Sequence, residues 1–488
     1  MSSLLIKNGH VLDLDRPFER ADILVDEDRI VQVGGELPDR VAMVIDATGK
    51  VVMPGLINAH THSGQILDRG IADNSPLDLW LLQAAMGARQ YTEEEIYALT
   101  AWSVLVQVKT GCTACLDHVG VRPDRFEQAS DAVMQAYVDT GFRAAVAPSV
   151  GDMEFFTTLP VHLLEGEEPP TLGRPVAETA SLLDSVRRFL QSWRGRHARI
   201  QPYIGPGAPQ RCSDRLLGGC FELSDEFDAG VHTHLLEARS QWFACQQRFG
   251  CSPVSYFDRK GWLSPRLSCA HGVWLSEDEA GMLAENGTTV AHNPVSNLRL
   301  GSGIFNLQMA VAKGTPVALG ADGAASNDNQ NMWEVLKLTS LLHNLYGPRE
   351  QWIDACEALR LCWQGGAHVL RQDIGAIRPG YQADLVILGG PELFLRNKLQ
   401  MIPSLVYGEL GQSVETVLVA GKILLRDRKP TQIDEASLRE RVAAIVAKGV
   451  EQMTEREAAF EERRGYIERI LDACGCLEGP PARVALLN

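Results

Sequence analysis

The sequence predicts an α/β fold: a distorted (β/α)8 TIM barrel carrying a small discontinuous β-sandwich built from both terminal regions. Three observations predict it. From Val51 onward, short apolar runs alternate with helix-length amphipathic segments. Four of those runs end in histidine or aspartate, at the strand edge where all strands of a barrel open onto one face. No Gly-x-Gly-x-x-Gly follows a strand, which removes the dinucleotide-binding alternative.

Taken in order, residues 1–54 read as short strands with turn signals, at Leu4-Ile6, Ala21-Val25, Ile30-Val33 and Val44-Ile45. The barrel strands are expected at Val51-Ile57, Thr113-Leu116, Ala144-Pro148, Arg199-Ile204, Gly230-Thr233, Leu267-Ala270, Thr288-Ala291 and Pro316-Gly320. Spacers such as Asp124-Thr140, Val176-Arg194, Ser213-Asp228 and Ser276-Asn286 have helix length and period. Strand character returns at Ala383-Leu388, Val414-Val419 and Ile423-Leu425, the last two joined by a hairpin turn at Ala420-Lys422. Neither terminal set buries a core alone, so residues 1–54 and 378–432 are expected to pair as one sandwich beside a barrel of residues 55–377. Residues 433–488 form a helical extension, with Leu438, Val442, Ile445 and Val446 as its packing stripe. The stretch Asp152 to Pro175, long and without evident structure, suits a lid or binding loop.

Composition narrows the classes. A chain of 488 residues with 45% hydrophobic and 22% charged residues has the balance of an ordinary globular protein with a large core. No apolar run is long enough for a membrane span and no signal-peptide pattern opens the chain, so a cytoplasmic protein is expected. The 11 cysteines are scattered, with only Cys112/Cys115 and Cys474/Cys476 close together, and are expected as reduced thiols. A net charge of -16 argues against nucleic acid or an anionic membrane as partner and leaves a small molecule as the ligand.

The chemistry lies at the strand ends. His60 and His62, two apart, share a strand face and so suit one metal ion. Val231-His232-Thr233-His234 repeats the pattern and is followed by Glu237; Leu267-His271 and Val317-Asp322 end in one polar residue each. A catalytic metal takes three or four nitrogen or oxygen ligands and keeps a position for water, and His60, His62, His234 and Asp322 supply that set. His234 is chosen over His232 because it is nearer the strand end; His232 is expected as a buried histidine of a lower layer with a hydrogen-bond partner. A bound metal brings the pKa of water toward neutrality, Asp322 can take the proton released, and Glu237 can deliver one to the substrate. His271 would orient the water or stabilise developing oxyanion charge. The strand Arg199-Ile204 offers no lysine for a carbamate bridge between two metals, so one divalent ion is expected, most simply Zn2+, with Fe2+ or Mn2+ suiting the same donors.

These residues resemble the amidohydrolase superfamily, in the branch holding methylthioadenosine/S-adenosylhomocysteine deaminases, guanine and cytosine deaminases and triazine hydrolases. The resemblance rests on Pro54-Gly55-Leu56-Ile57-Asn58-Ala59-His60-Thr61-His62, Arg69-Gly70-Ile71-Ala72-Asp73, His234-Leu235-Leu236-Glu237, His292 through Leu300, Asp322-Gly323-Ala324-Ala325-Ser326-Asn327 and Ile374 through Leu385. It implies a mononuclear zinc or iron site, attack of water on an aromatic ring carbon, and loss of ammonia or another leaving group. The ligand role falls on His60, His62, His234 and Asp322, and proton transfer and water orientation on Glu237 and His271. Two departures bear on the substrate: Gly207 stands where the adenosine-type deaminases are similar in having a Pro-His-Ala-Pro histidine, and Leu81 to Met86 lacks the acidic residue expected to hold a ribose. A free heterocycle (purine, pterin or pyrimidine base) is therefore the expected substrate, with a triazine-like ring or a nucleoside as alternatives. His118 resembles a substrate contact of enzymes acting on free heterocycles, and Gln65 and Trp80 are expected on the pocket wall. The family and the C-terminal helix together suggest a homodimer or higher homo-oligomer.

Overall fold

The computed structural model describes residues 3–16, 18–37, 41–70, 73–86, 91–173, 176–345, 347–390, 398–450 and 453–476. Ile71, Ala72, Arg174, Pro175 and the tail from residue 477 lie outside the described residues.

The fold is α/β and TIM-barrel-like. Strands Leu56–Thr61, Cys112–Asp117, Arg143–Val146 and Ile200–Pro202 pair in parallel in that order. Val231–Leu235, Leu267–His271, Thr289–His292 and Val317–Leu319 form a second parallel set, also in chain order. Hydrogen bonds join the two sets at both ends. Ile204 bridges Val231, with Ile204 N donating to Gly230 O at 2.9 Å and His232 N to Ile204 O at 2.9 Å. On the other side Asp322 N donates to His60 O at 2.9 Å, tying the last strand's exit to the first strand.

Helices run between the strands and have local reasons to start and stop. Thr92 and Glu95 form a reciprocal capping box at Glu93–Lys109, as do Ser276 and Glu279 at Glu277–Glu285. Phe126–Thr140 stops at Gly141 in the left-handed region. The expected helices at 176–194 and 213–228 are Thr179–Trp193 and Asp214–Phe227, with Glu178 and Ser213 as N-caps. Between Asp152 and Gly173 the chain makes two short 3-10 turns, Phe156–Thr158 and Val161–Leu163, packed with Tyr466, Ile467, Ile470 and Leu471 of the last helix.

Three expectations need correction. Val51–Ile57 is not one strand: Val51–Pro54 pairs with Ser3–Val11 and Leu385–Leu388 in the terminal sheet, and the first parallel strand starts at Leu56. Gly55 is the pivot, because a β-carbon there would lie 2.1 Å from the Thr113 side chain. Buried runs of either sheet have the same apolar pattern, so periodicity could not divide them. Second, Val446 is 42% exposed, although Leu438, Val442 and Ile445 of helix Glu435–Val450 are buried against Ala98, Leu99 and Ala101. Third, Cys474 and Cys476 are joined in a disulfide after helix Met453–Ala473, while the other nine cysteines are free.

The strands from the two termini form one hydrogen-bonded sheet of nine, running from Lys429–Pro430 through Lys422–Arg426, Val414–Val419, Leu385–Leu388, Val51–Pro54, Ser3–Val11 and Glu19–Asp26 to Arg29–Val33, with Met43–Asp46 beside Ser3–Val11. Its core is Leu4, Ile6, Ile23, Val25, Ile30, Leu385, Ile387 and Leu418.

Arg143, at the start of a parallel strand, grips Asp384 bidentately at 2.6 and 3.0 Å, and both side chains are fully buried. Asp384 also accepts from Ala420 N at 2.7 Å, so one ion pair ties the parallel strands to the terminal sheet. Arg143→Met leaves that carboxylate buried and unpaired, and should destabilise the protein by about 3–5 kcal/mol in urea unfolding. Arg143→Met/Asp384→Leu should recover part of the loss, since no lone charge then remains.

Candidate active site

His60, His62, His118, His234, Glu237, His271 and Asp322 lie at or just past the ends of the parallel strands, Gln65 in the 3-10 turn Ser63–Gln65 and Trp80 in helix Leu77–Met86, and the structure brings them together. His60 ends the first strand, where the ladder shifts register between Asn58 and Thr61, and its ring meets His62 edge-on with centroids 4.7 Å apart. Room for this comes from Gly320 and Gly323: a β-carbon at Gly320 would sit 2.8 Å from His60 Cβ, and one at Gly323 1.8 Å from Gln65 Oε1. His271 and Asp322 have φ of 77° and 62°, a left-handed conformation that costs a non-glycine residue about 1–3 kcal/mol. Such strain is retained where surrounding structure fixes it, commonly at functional sites. Asp322 is not a helix N-cap, since Gly323 occupies that place before Ala324–Asn327.

Four donors converge. Asp322 Oδ1 lies 3.2 Å from His60 Nε2 and 3.1 Å from His62 Nε2, and His234 Nε2 lies 3.4 Å from His62 Nε2. His60, His62 and Asp322 group as one potential metal-holding set, and His60, His234 and His271 as an overlapping one. The hydrogen bonds behind the rings set the tautomers. His62 Nδ1 faces His118 O at 2.5 Å and His234 Nδ1 faces Gly207 O at 2.6 Å; a carbonyl only accepts, so each Nδ1 carries the proton and each Nε2 a lone pair. His60 Nδ1 contacts His232 Nε2 at 2.8 Å, and His232 Nδ1 contacts Ser268 Oγ at 2.7 Å. His232 is thus a buried histidine with partners on both ring nitrogens, lying behind His60.

The donor set fits a metal ion. With these tautomers two lone pairs face each other at 3.4 Å beside a carboxylate, an arrangement that a bound cation, or a proton taken up by His62, relieves. A tetrahedral zinc with bonds to nitrogen of ~2.0–2.1 Å holds its donors ~3.4 Å apart, which matches this spacing. His60 Nε2 has no hydrogen-bond partner although fully buried. Burial pushes the His60 pKa down to about 3 and that of His234 well below its usual value, keeping both rings neutral, the form that ligates. At His62 burial acts the same way, but hydrogen bonding and attraction to Asp322 outweigh it and raise the pKa. Asp322 Oδ2 accepts from Ser326 Oγ at 2.8 Å, which orients the carboxylate from behind.

Glu237 and His271 stand beside this group, Glu237 Oε2 3.6 Å from His271 Nε2. Burial, then the nearby Asp322 and Asp78 carboxylates, raise the Glu237 pKa well above the usual range and favour its protonated form. His271 Nδ1 donates to Asn297 Oδ1 at 2.8 Å, and burial lowers its pKa, so the neutral ring presents Nε2 as an acceptor.

An inner chamber of about 170 Å3 lies over these groups, lined by His62, Gln65, Trp80, His118, His234, Glu237, His271 and Asp322 among others. It adjoins an outer chamber of about 600 Å3 that shares Gln65, Trp80, Gly207 and Arg211 and adds Glu154, Phe155 and Leu172 from the 152–173 stretch. Gln65 Oε1, Trp80 Nε1 and both ring nitrogens of His118 are buried without hydrogen-bond partners, as polar groups awaiting a ligand would be. Sequence reasoning gave no role to Asn297, Ser326 or Arg211. Asn297 and Ser326 sit inside the motifs His292–Leu300 and Asp322–Asn327, but nothing in their spacing marks them as partners of His271 and Asp322.

Parallel strands holding three imidazoles and a carboxylate at their ends form a candidate metal site on a TIM-barrel-like fold, the arrangement of a metal-dependent hydrolase. The amidohydrolase family model matches residues 51–424, and the chain belongs to that family; it is an enzyme, a hydrolase acting on C–N bonds. It is 35% identical to a 5-methylthioadenosine/S-adenosylhomocysteine deaminase of Thermococcus kodakarensis, over 87% of this chain and 94% of that one. With a 5'-deoxyadenosine deaminase of Methanosarcina mazei it shares 32% identity, over 89% and 95%. Among solved structures, a zinc-bound adenosine deaminase from Xanthomonas campestris superposes with a TM-score of 0.78 at 26% identity, covering 92% of this chain and 98% of that one.

Proposed function

We propose that this enzyme is a metal-dependent aminohydrolase that replaces the exocyclic amino group of a nitrogen heterocycle with oxygen, hydrolysing a cyclic amidine and releasing ammonia. The observation that carries this reading is the convergence of three histidine Nε2 atoms and Asp322 with the buried Glu237 and His271 beside them. His60, His62, His234 and Asp322 would hold one divalent cation, zinc being the simplest for this donor set. When bound, that ion polarises water and lowers its pKa toward neutrality.

The side chains account for every proton. Asp322 takes one from water as its oxygen adds to the ring carbon, while Glu237 gives its own to the adjacent ring nitrogen. His271, with Nδ1 committed to Asn297, orients the water by accepting at Nε2. Collapse breaks the C–N bond: Asp322 passes its proton to the departing amine, and the new hydroxyl returns one to Glu237. Both carboxyl groups end as they began.

Gln65, Trp80 and His118 would hold the ring in the inner chamber, and the outer chamber offers room for a substituent beyond it. That room, together with the adenosine-type substrates in the names of the relatives, supports a substituted aminopurine such as a nucleoside alongside the free bases that Gly207 suggested. We read the ring of parallel strands as the distorted (β/α)8 barrel of residues 55–377, and the nine-stranded sheet as a discontinuous sandwich domain of residues 1–54 and 378–432 folded over its own core. The helices from residue 433 brace the walls of the site and remain our candidate for the contact of a cytoplasmic homodimer. Among the described residues no helix is long and apolar enough to cross a membrane.

An ammonia-coupled screen of purines, adenine nucleosides, pterins and pyrimidines, on protein of assayed metal content, tests the reaction. Stoichiometric ammonia from at least one ring is the expected result. Release of a substituted amine or chloride from a triazine instead would replace this reading with the triazine-hydrolase one.

A further inference from the structure

Among the described residues, Arg211 is the unpaired cation of the two chambers. It follows the 3-10 turn Pro209–Arg211 and lines both cavities at their junction. The other guanidinium groups on the walls are committed, Arg122 to Asp124 and Arg125 to Glu93. Among the described residues no carboxylate lies within ion-pair distance of Arg211, and its side chain makes no hydrogen bond. Asp78 and Glu237 act on it only through longer-range attraction, and burial lowers its pKa.

The acidic groups on the walls leave that charge uncancelled. Glu154 accepts backbone hydrogen bonds from Phe156 and Leu172, Asp322 faces the histidines, Asp68 has a partner of its own, and Glu237 lies beside His271 and outside ion-pair distance of the guanidinium. Gly207 borders the Arg211 side chain: a β-carbon there would lie 3.2 Å from Ser149 Oγ and 3.9 Å from Arg211 Cδ. Arg211 is half-buried, so its charge is only partly served by water, and a planar guanidinium is suited to grip two oxygens at once.

We propose that Arg211 is a specificity-determining residue that binds anionic oxygen on the substrate, the two oxygens of a carboxylate substituent or the single oxygen of an ionised ring oxo group, where the chambers meet. This rests on the aminohydrolase reading for the ring it accompanies, but recognition can be measured without turnover.

The test uses matched ligands on two rings: 5'-deoxyadenosine against adenosine-5'-carboxylate, and pterin against pterin-6-carboxylate and its 6-oxo analogue xanthopterin. Binding is measured calorimetrically on zinc-loaded Glu237→Gln protein and kcat and KM on the native enzyme, each with Arg211 intact, Arg211→Lys and Arg211→Met. At least one anionic ligand should bind roughly 10- to 100-fold tighter than its neutral partner. Arg211→Met should abolish that preference through KM, and Arg211→Lys should keep part of it, since a lysine retains charge but not the fork. Carboxylate and oxo arms show which oxygen source is read. If anionic ligands bind no better than neutral ones, or Arg211→Met weakens both equally, Arg211 merely compensates Asp78 and Glu237 and the inference is overturned. Arg211-dependent anion binding without ammonia release from any ring would sink the reaction and leave the recognition standing.

Discussion

Glu237→Gln is expected to lower kcat by roughly 10²- to 10⁴-fold, with metal content and unfolding midpoint unchanged. The substitution keeps shape and removes only the transferable proton. Glutamine can still accept from the chamber and donate toward His271, so the pocket should stay assembled and ligand binding should persist. The pH profile adds a second reading. Burial and the carboxylates of Asp322 and Asp78 raise the Glu237 pKa, so the form able to give a proton persists to higher pH than in an ordinary carboxyl group and is lost as pH rises through the raised value. Glu237 therefore governs an alkaline limb of kcat, and Glu237→Gln should flatten that limb as well as lower the plateau. Glu237→Asp, which withdraws the carboxyl group by one methylene but keeps its proton, should fall between. A variant that loses its zinc, or retains the native limb, would move proton delivery to another group.

The strand ends were readable because three physical constraints coincide in the sequence there. A buried parallel strand is a continuous apolar run, its exit is marked by the first polar residue, and a metal site requires particular residue types at that exit, as at His60, His62, His234 and Asp322. What the sequence could not show is which sheet a buried run joins. Val51–Pro54 and Leu56–Thr61 are equally apolar, and only the contact of Gly55 with Thr113 separates them. The supporting groups were hidden for a different reason. Asn297 holds His271 and Ser326 holds Asp322 from short helices that follow the strands, and an asparagine or serine in such a place has many ordinary uses. Arg211 was hidden because its lack of a partner is a property of the whole cavity: spacing reports the residues present in a segment, whereas an uncancelled charge depends on where every carboxylate nearby is already engaged.

Exhaustive chelation is expected to abolish turnover, and one equivalent of zinc to restore it. Glu237, His271 and the chamber survive chelation, so the loss isolates what the cation contributes. Without it, only a proton on His62, whose pKa Asp322 raises, is left to lie among the His62 and His234 nitrogens and that carboxylate, and the folded state loses the binding energy of the ion. The unfolding midpoint should therefore fall too: a ligand at 100 times its Kd stabilises the native state by about 2.7 kcal/mol, which removal forfeits. Asp322→Asn should mimic chelation, because the amide keeps the hydrogen bond with Ser326 but removes the negative charge that binds the ion. Ser326→Ala, which leaves every ligand in place and only frees the carboxylate to rotate, should cost about 10- to 100-fold in zinc affinity. The order Asp322→Asn, Ser326→Ala, native in both zinc affinity and turnover is what a single cation held by these donors requires. Turnover that persisted in metal-free protein, or a Ser326→Ala variant binding zinc as the native chain does, would break the link between this carboxylate and the ion.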